Sequence, residues 1–148
     1  MTKNYQEFKS DFNSKLEQWL EQKQNDFSGR YKEGLTDDIL SQIETISSAK
    51  GKRIRPFVAW LMSNNLSDRK PPDWSPFLAI ELFHLFGLIH DDIMDRDQLR
   101  RGEQTIHEFI SEKNFSSSKD SNHIGNSLAI LAGDLVHSWV NELFVKTE

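Results

Sequence analysis

Apolar residues along this chain recur every three to four positions, the rhythm of amphipathic helices, and strand-like alternation is weak throughout. Tyr5, Phe8, Phe12, Leu16, Trp19 and Leu20 share one helical stripe. A loop around Ser28-Gly29 separates them from a second helix. Thr36 is its expected N-cap, with Asp37 and Asp38 in the first turn, where carboxylates suit the macrodipole. Ile39, Leu40, Ile43 and Ile46 form its apolar face. Gly51 interrupts the pattern, and Pro56 fits the first turn of a third helix bearing Phe57, Val58, Trp60 and Leu61. Asn64 to Asp73, with Pro71-Pro72, reads as a polar loop.

Ser75-Pro76 supplies N-cap and N1 residues for a central helix. From Phe77 to Ile89 it is apolar nearly all round, which predicts burial on every side. Gly102 falls where that helix should have ended. A short helix near Thr105 to Ser111 and a Ser-rich loop from Asn114 to Asn122 follow. The last helix presents Ile124, Leu128, Leu131, Leu135, Trp139 and Leu143 on one face. The expectation is an all-α fold, a helical bundle packed around the Pro76 to Asp97 helix. Phe144 to Glu148 continue the final helix with no Gly, Asn or Pro stop signal, which fits either a fraying terminus or a longer protein cut here.

Composition narrows the picture. The 148 residues suffice for one domain, 1–148, with a real core. A net charge of -5 argues against nucleic acid as a partner, so any cationic function must be local. The absence of cysteine excludes disulfides, thiolate metal sites and a Cys nucleophile. Met1 to Gln24 lacks the apolar core of a signal peptide. The run Phe77 to Ile89 is too short to span a membrane and carries Glu81 and His84. A cytoplasmic protein that does not span membranes is the expectation.

The chemistry concentrates at His90-Asp91-Asp92-Ile93-Met94-Asp95, followed by Arg100-Arg101-Gly102. Asp91 and Asp95 are one helical turn apart, so their carboxylates project from one face. Mg2+ favours one or two carboxylates plus phosphate oxygens, and arginine grips phosphate bidentately. Carboxylates alone would repel a diphosphate; the metal inverts that sign. Acidic helix ends are commonly just solvated surface, but these acids prolong an apolar helix into a place where idle charge is costly. Calcium loop spacing breaks at Ile93 or Leu99, and His84 and His90 lack zinc spacing. His84 lies seven residues before Asp91, on the same wall two turns away; a lone histidine there is more often a hydrogen-bonded core residue. Gly51-Lys52-Arg53-Ile54-Arg55-Pro56 is a second cationic cluster. Cations at a helix start oppose the macrodipole, so their placement asks for an anion. Two anionic groups are implied, one held through metal and one directly.

Read together and in order, GKRIRP, ELFHLFGLIHDDIMDRDQLRRGEQTIH and ILAGD resemble the amino-terminal half of a trans-isoprenyl diphosphate synthase, of the polyprenyl synthetase family. The similarity runs from about Lys50 to His137, and Thr2 to Ser48 fits the leading helices without distinctive motifs. The resemblance implies an isoprenoid synthase fold. It implies that Lys52, Arg55 and His84 hold the diphosphate of isopentenyl diphosphate, together with Arg101. Asp91 and Asp95 would bind Mg2+ on an allylic diphosphate, with Asp92 as a supporting carboxylate and Arg100 as the allylic-diphosphate arginine. The family's second aspartate-rich motif is absent from this sequence. A truncated chain, inactive alone, is therefore expected, with a homodimer when complete.

The implied reaction joins isopentenyl diphosphate to an allylic diphosphate, lengthening it by one isoprene unit. By the same resemblance, Phe86, five residues before Asp91, would floor the product tunnel. With the small Gly87 beside it, the pattern resembles that of geranylgeranyl-forming enzymes, farnesyl diphosphate being the shorter option. A terpene cyclase shares DDxxD but needs neither GKxxRP nor Arg100-Arg101-Gly102. A non-catalytic partner subunit of a prenyl synthase is the alternative from another class: the missing motif favours it, and the retained basic and acidic sets oppose it.

Overall fold

Among the residues that this computed structural model describes (4–28, 34–49, 51–66 and 73–145), six helices and one minimal hairpin occur in the order α1 (Tyr5–Ser28), α2 (Leu35–Ser48), α3 (Ile54–Leu66), α4 (Ser75–Asp95), β1 (Leu99–Arg100), β2 (Glu103–Gln104), α5 (Ile106–Phe115) and α6 (Ser121–Val145). The glycine after Ser28 and the Pro71-Pro72 pair lie outside the described residues, as do the last three of the chain. Helix α1 buries the expected stripe of Phe8, Phe12, Leu16 and Leu20. Each such side chain contributes about 1.5–3 kcal/mol when removed from water. Phe8 also meets Phe57 and Trp60 of α3, with ring centroids 5.3 Å apart in both cases.

Two helix starts differ from the sequence expectation by a residue or more. Helix α2 begins at Leu35 behind Gly34, so Thr36 lies inside the helix and is not its cap. Asp38 reaches across to α5, where Lys113 (2.7 Å) and Asn114 (2.9 Å) donate to its two oxygens. These bonds, Lys113 first, lower its pKa. Helix α4 is preceded by Trp74, which puts Ser75 and Pro76 in its first turn. A missing N–H costs nothing at either position. Helix α5 runs on to Phe115 and α6 starts at Ser121, which shortens the expected Ser-rich loop.

Helix α4 packs most extensively against α6, and less against α3. It is not buried on every side. Phe77, Leu78, Leu82, Leu85 and Ile89 are core, but Phe83 is 55% exposed, because no described helix covers that face. On α6 the buried face also departs from the expected one. Trp139 and Leu143 are buried as expected, joined by Gly125, Ala129, Ala132, Gly133 and Val136, while Leu131 is left 61% exposed. Small side chains let backbones approach, so shape outweighs hydropathy in choosing the face. Among the described helices, α6 alone is long and apolar enough to cross a membrane by length and composition. A helix with its small face sunk in a bundle meets the same criterion.

The two glycines of α6 differ in consequence. A Cβ at Gly125 would lie 2.5 Å from the His107 carbonyl oxygen, whereas one at Gly133 would meet the His90 ring at 2.2 Å. A ring can rotate and a backbone carbonyl cannot. Gly125→Ala is therefore expected to cost about 1–3 kcal/mol by overpacking, and more than Gly133→Ala. Urea denaturation of both variants checks the order; equal losses would remove the backbone argument.

Candidate functional site

The acidic end of α4 is split between two faces. Asp91 and Asp95 are exposed, whereas Asp92 is 2% exposed on the neighbouring face. Helix α4 stops at Asp95 because Arg96 turns left-handed (φ 59°), its N–H bonding back to the Asp92 carbonyl. The chain then forms the β1–β2 hairpin rather than stopping on Gly102. Arg101 (φ 56°) and Gly102 (φ 93°) make its two-residue turn. Positive φ at both positions matches the twist of the strands, and glycine adopts it without strain. Buried Thr105 pins the hairpin to the helix end by donating to the Asp97 carbonyl at 2.8 Å. Gln42 of α2 pins the other strand by donating to the Gln104 carbonyl at 2.6 Å. Arg100 is thereby delivered to Asp92, whose carboxylate accepts from its Nε, while Asp97 lies 3.4 Å from Nη2. Burial raises the Asp92 pKa, and Arg100 opposes that shift.

The cationic loop before α3 is built around Arg53. Its backbone is left-handed (φ 52°) and its side chain points inward, where Nη1 donates to Glu81 at 2.6 Å. Lys52 stays exposed, its carbonyl accepting from the Tyr5 hydroxyl. Arg55, in the first turn of α3, is exposed and reaches the wall of an open cleft of about 650 Å3. His84 and Asp91 of α4 line the same wall, with Ile80, Phe83 and Phe144 as its apolar part. His84 also borders a tighter cavity lined by Arg53, Glu81 and Arg101. Its pKa is lowered, first by burial and then by Arg55, with Glu81 opposing and Arg101 and Arg100 adding to the effect. Without a ligand, this wall is electropositive around a neutral imidazole.

Thus Arg55, His84 and Asp91 come together on one cleft, with Arg101 joined to them through the cavity that His84 shares. Lys52 is not on the cleft wall. Asp92 and Arg100 are paired with each other. Phe86 is off the wall, packed at 4.9 Å against the His137 ring and 4.8 Å against the His90 ring. Among the described residues no three carboxylates or histidines converge as a protein metal cage. Two exposed carboxylates one turn apart fit an ion that takes its other ligands from phosphate and water.

Sequence reasoning passed over the Arg53–Glu81 pair. The signal was available: a glutamate inside an apolar run needs a partner. The anion that the cationic helix start asks for is, for Arg53, this internal carboxylate. The ILAGD segment was noticed without a physical role; Gly133 makes room for the His90 ring, whose Nδ1 lies 3.0 Å from the Phe86 carbonyl oxygen.

The polyprenyl synthetase family profile matches residues 37–148. The chain belongs to the polyprenyl synthetase family. A short chain isoprenyl diphosphate synthase of Methanothermobacter thermautotrophicus is 36% identical over 121 residues, 79% of this chain and 33% of that protein. A geranylgeranyl diphosphate synthase of Sulfolobus acidocaldarius is 32% identical over 122 residues, 82% of this chain and 33% of that protein. The crystal structure of geranylgeranyl pyrophosphate synthase from Corynebacterium glutamicum, complexed with isoprenyl diphosphate and magnesium, superposes with a TM-score of 0.73 at 26% identity. That match covers 92% of this chain and 41% of the other. This polyprenyl synthetase chain spans about a third of the length of the curated relatives it matches. The expected all-α fold of isoprenoid synthase type is confirmed.

The Arg100–Asp92 pair has a measurable consequence. Removing one partner of a buried pair strands the other charge, at a cost of about 3–5 kcal/mol. Arg100→Ala is expected near the lower end, because Arg100 keeps some solvent contact (22%). Arg55→Ala, at an exposed site, should change stability by less than about 0.5 kcal/mol. Chemical denaturation decides; equal effects would contradict a structural role for Arg100.

Proposed function

We propose that this chain supplies the two diphosphate sites of a prenyltransferase, one reached through magnesium and the other through direct cations. The observation that carries the reading is the single cleft wall shared by Arg55, His84 and Asp91. Asp91 and Asp95 offer carboxylate oxygens to Mg2+, which when bound neutralises charge on the departing allylic diphosphate. Arg100, already held against Asp92, adds positive potential beside the same end of α4. Lys52, Arg55, His84 and Arg101 orient isopentenyl diphosphate so that its double bond faces the allylic carbon. Neutral His84 donates one N–H to a diphosphate oxygen. Ile80, Phe83 and Phe144 provide an apolar surface for the isoprenoid part. Holding both substrates in one cleft supplies the proximity that the condensation needs.

Calorimetry on the 148-residue chain tests the two sites separately. Asp91→Ala should abolish the Mg2+-dependent part of allylic diphosphate binding. Lys52→Ala should instead weaken isopentenyl diphosphate, by about tenfold for one lost charge-assisted bond. If both substitutions raise the dissociation constant of the same substrate equally, the two-site reading is wrong.

Phe86 is proposed as the floor that limits product length. Its ring is backed by His137 across the α4–α6 seam, which is support for a rigid stop, and Gly87 beside it lines the cleft. In a full-length enzyme carrying this segment, Phe86→Ala should shift products to longer prenyl chains on chromatography. An unchanged product profile would leave Phe86 as packing alone.

A further inference from the structure

We infer that Arg53, through its pair with Glu81, is a positioning residue for isopentenyl diphosphate: it fixes the loop that presents Lys52 and Arg55 and the turn that presents Arg101. The inference rests on the two-site reading above. Arg53 itself does not line the open cleft. It is 5% exposed, and each of its three guanidinium nitrogens already donates inward. Nε donates to Asn13 of α1 at 2.9 Å, Nη2 to the Ser47 carbonyl of α2 at 2.5 Å, and Nη1 to Glu81 of α4 at 2.6 Å. One side chain therefore ties three helices to the loop that carries its neighbours.

The sequence places Lys52 immediately before Arg53 and Arg55 two residues after it. With the Arg53 side chain sunk into the core and its backbone left-handed, both neighbours are turned outward. The link to Arg101 runs through Gly51. A Cβ there would lie 2.8 Å from Arg101 Nη1 and 2.9 Å from Arg53 Nη1, so both guanidinium groups close on the same small residue. Two like charges in one place need a counter-ion, and Glu81 acts electrostatically on Arg101 as well as pairing with Arg53. The cations that would meet a diphosphate are thus assembled before it arrives.

A merely stabilising pair and a positioning pair give different results when replaced by apolar residues. Buried ion pairs exchanged for hydrophobic side chains commonly keep or gain stability. In the double variant Arg53→Met/Glu81→Leu, helicity and melting temperature should stay near those of the parent chain. Calorimetric affinity for isopentenyl diphosphate should fall by about ten- to a hundredfold, the size of loss that follows when a partner orienting a binding residue is removed from a metal site. Mg2+-dependent binding of an allylic diphosphate should be unchanged, and Arg53→Lys should keep part of the lost affinity. A folded double variant that binds isopentenyl diphosphate as tightly as the parent overturns the inference and leaves the two-site reading intact. If the double variant does not fold, Glu81→Gln takes its place, since it removes the counter-ion of Arg53 while keeping an acceptor for Nη1 and every cation of the site. Its unchanged affinity would overturn the inference, and a selective loss would support it. A parent chain that binds no isopentenyl diphosphate overturns the two-site reading itself.

Discussion

Helix α4 has to be both the core of the bundle and the wall of a charged cleft, and the rest of the structure follows from how it separates those tasks. Glu81 and Asp92 are eleven residues apart, almost a whole number of turns, so they share the face of Leu85 and Leu88. Each is buried, and each receives an arginine from outside the helix: Arg53 from the loop before α3, Arg100 from the hairpin. His84 and Asp91 share the neighbouring face and look into the cleft. One set of acids is paired inside the scaffold, and Asp91 stays exposed on the cleft wall. Desolvating Glu81 and Asp92 is costly unless the pairing geometry is good. Their arginines must therefore arrive from segments that are themselves held, which explains the polar bonds that Asn13 and Ser47 accept and those that Thr105 and Gln42 donate.

That division also separates the run of aspartates by environment. Asp91 and Asp92 are neighbours in sequence and opposites in environment. Nothing in composition distinguishes them, but helical phase does: Asp92 continues the line of Leu82, Leu85 and Ile89, while Asp91 continues that of His84. Read with the period of 3.6 in hand, the segment sets one buried, paired acid and one exposed acid side by side. Asp92 supports the site as the counter-ion that orients Arg100, not as an exposed ligand.

Much of the helical layout was legible because apolar spacing records which side of a helix is wet. The stripe of α1 and the existence of α4 and α6 follow from it directly. What was not legible has one common cause: contacts made between helices rather than along them. The face of α6 was misread because glycine and alanine carry little hydropathy, yet they set how closely α6 approaches its neighbours. The hairpin at Leu99 to Gln104 was missed because two-residue strands leave no periodic signal; the left-handed Arg101-Gly102 turn is its only trace in the chain. Arg53 was grouped with Lys52 and Arg55 as one cationic cluster, because a sequence shows charge without showing direction.

Direction is what makes a crowded set of cations usable. Lys52, Arg55, Arg100 and Arg101, gathered around His84 without a ligand, repel one another, and flexible side chains would relieve that repulsion by swinging into water. Here the backbone prevents part of that relief. Left-handed residues at Arg53 and Arg101 turn successive side chains to opposite sides, and the buried partners Glu81 and Asp92 hold one guanidinium each. The segments that carry the remaining cations are tied to the bundle at Arg53, Gln104 and Thr105. On the proposed two-site reading, a diphosphate would meet backbone segments already in place, and that part of the ordering cost is met in folding rather than in binding. The low pKa direction of His84 is the same preorganisation seen from the proton's side: the cleft disfavours a further positive charge until an anion enters it.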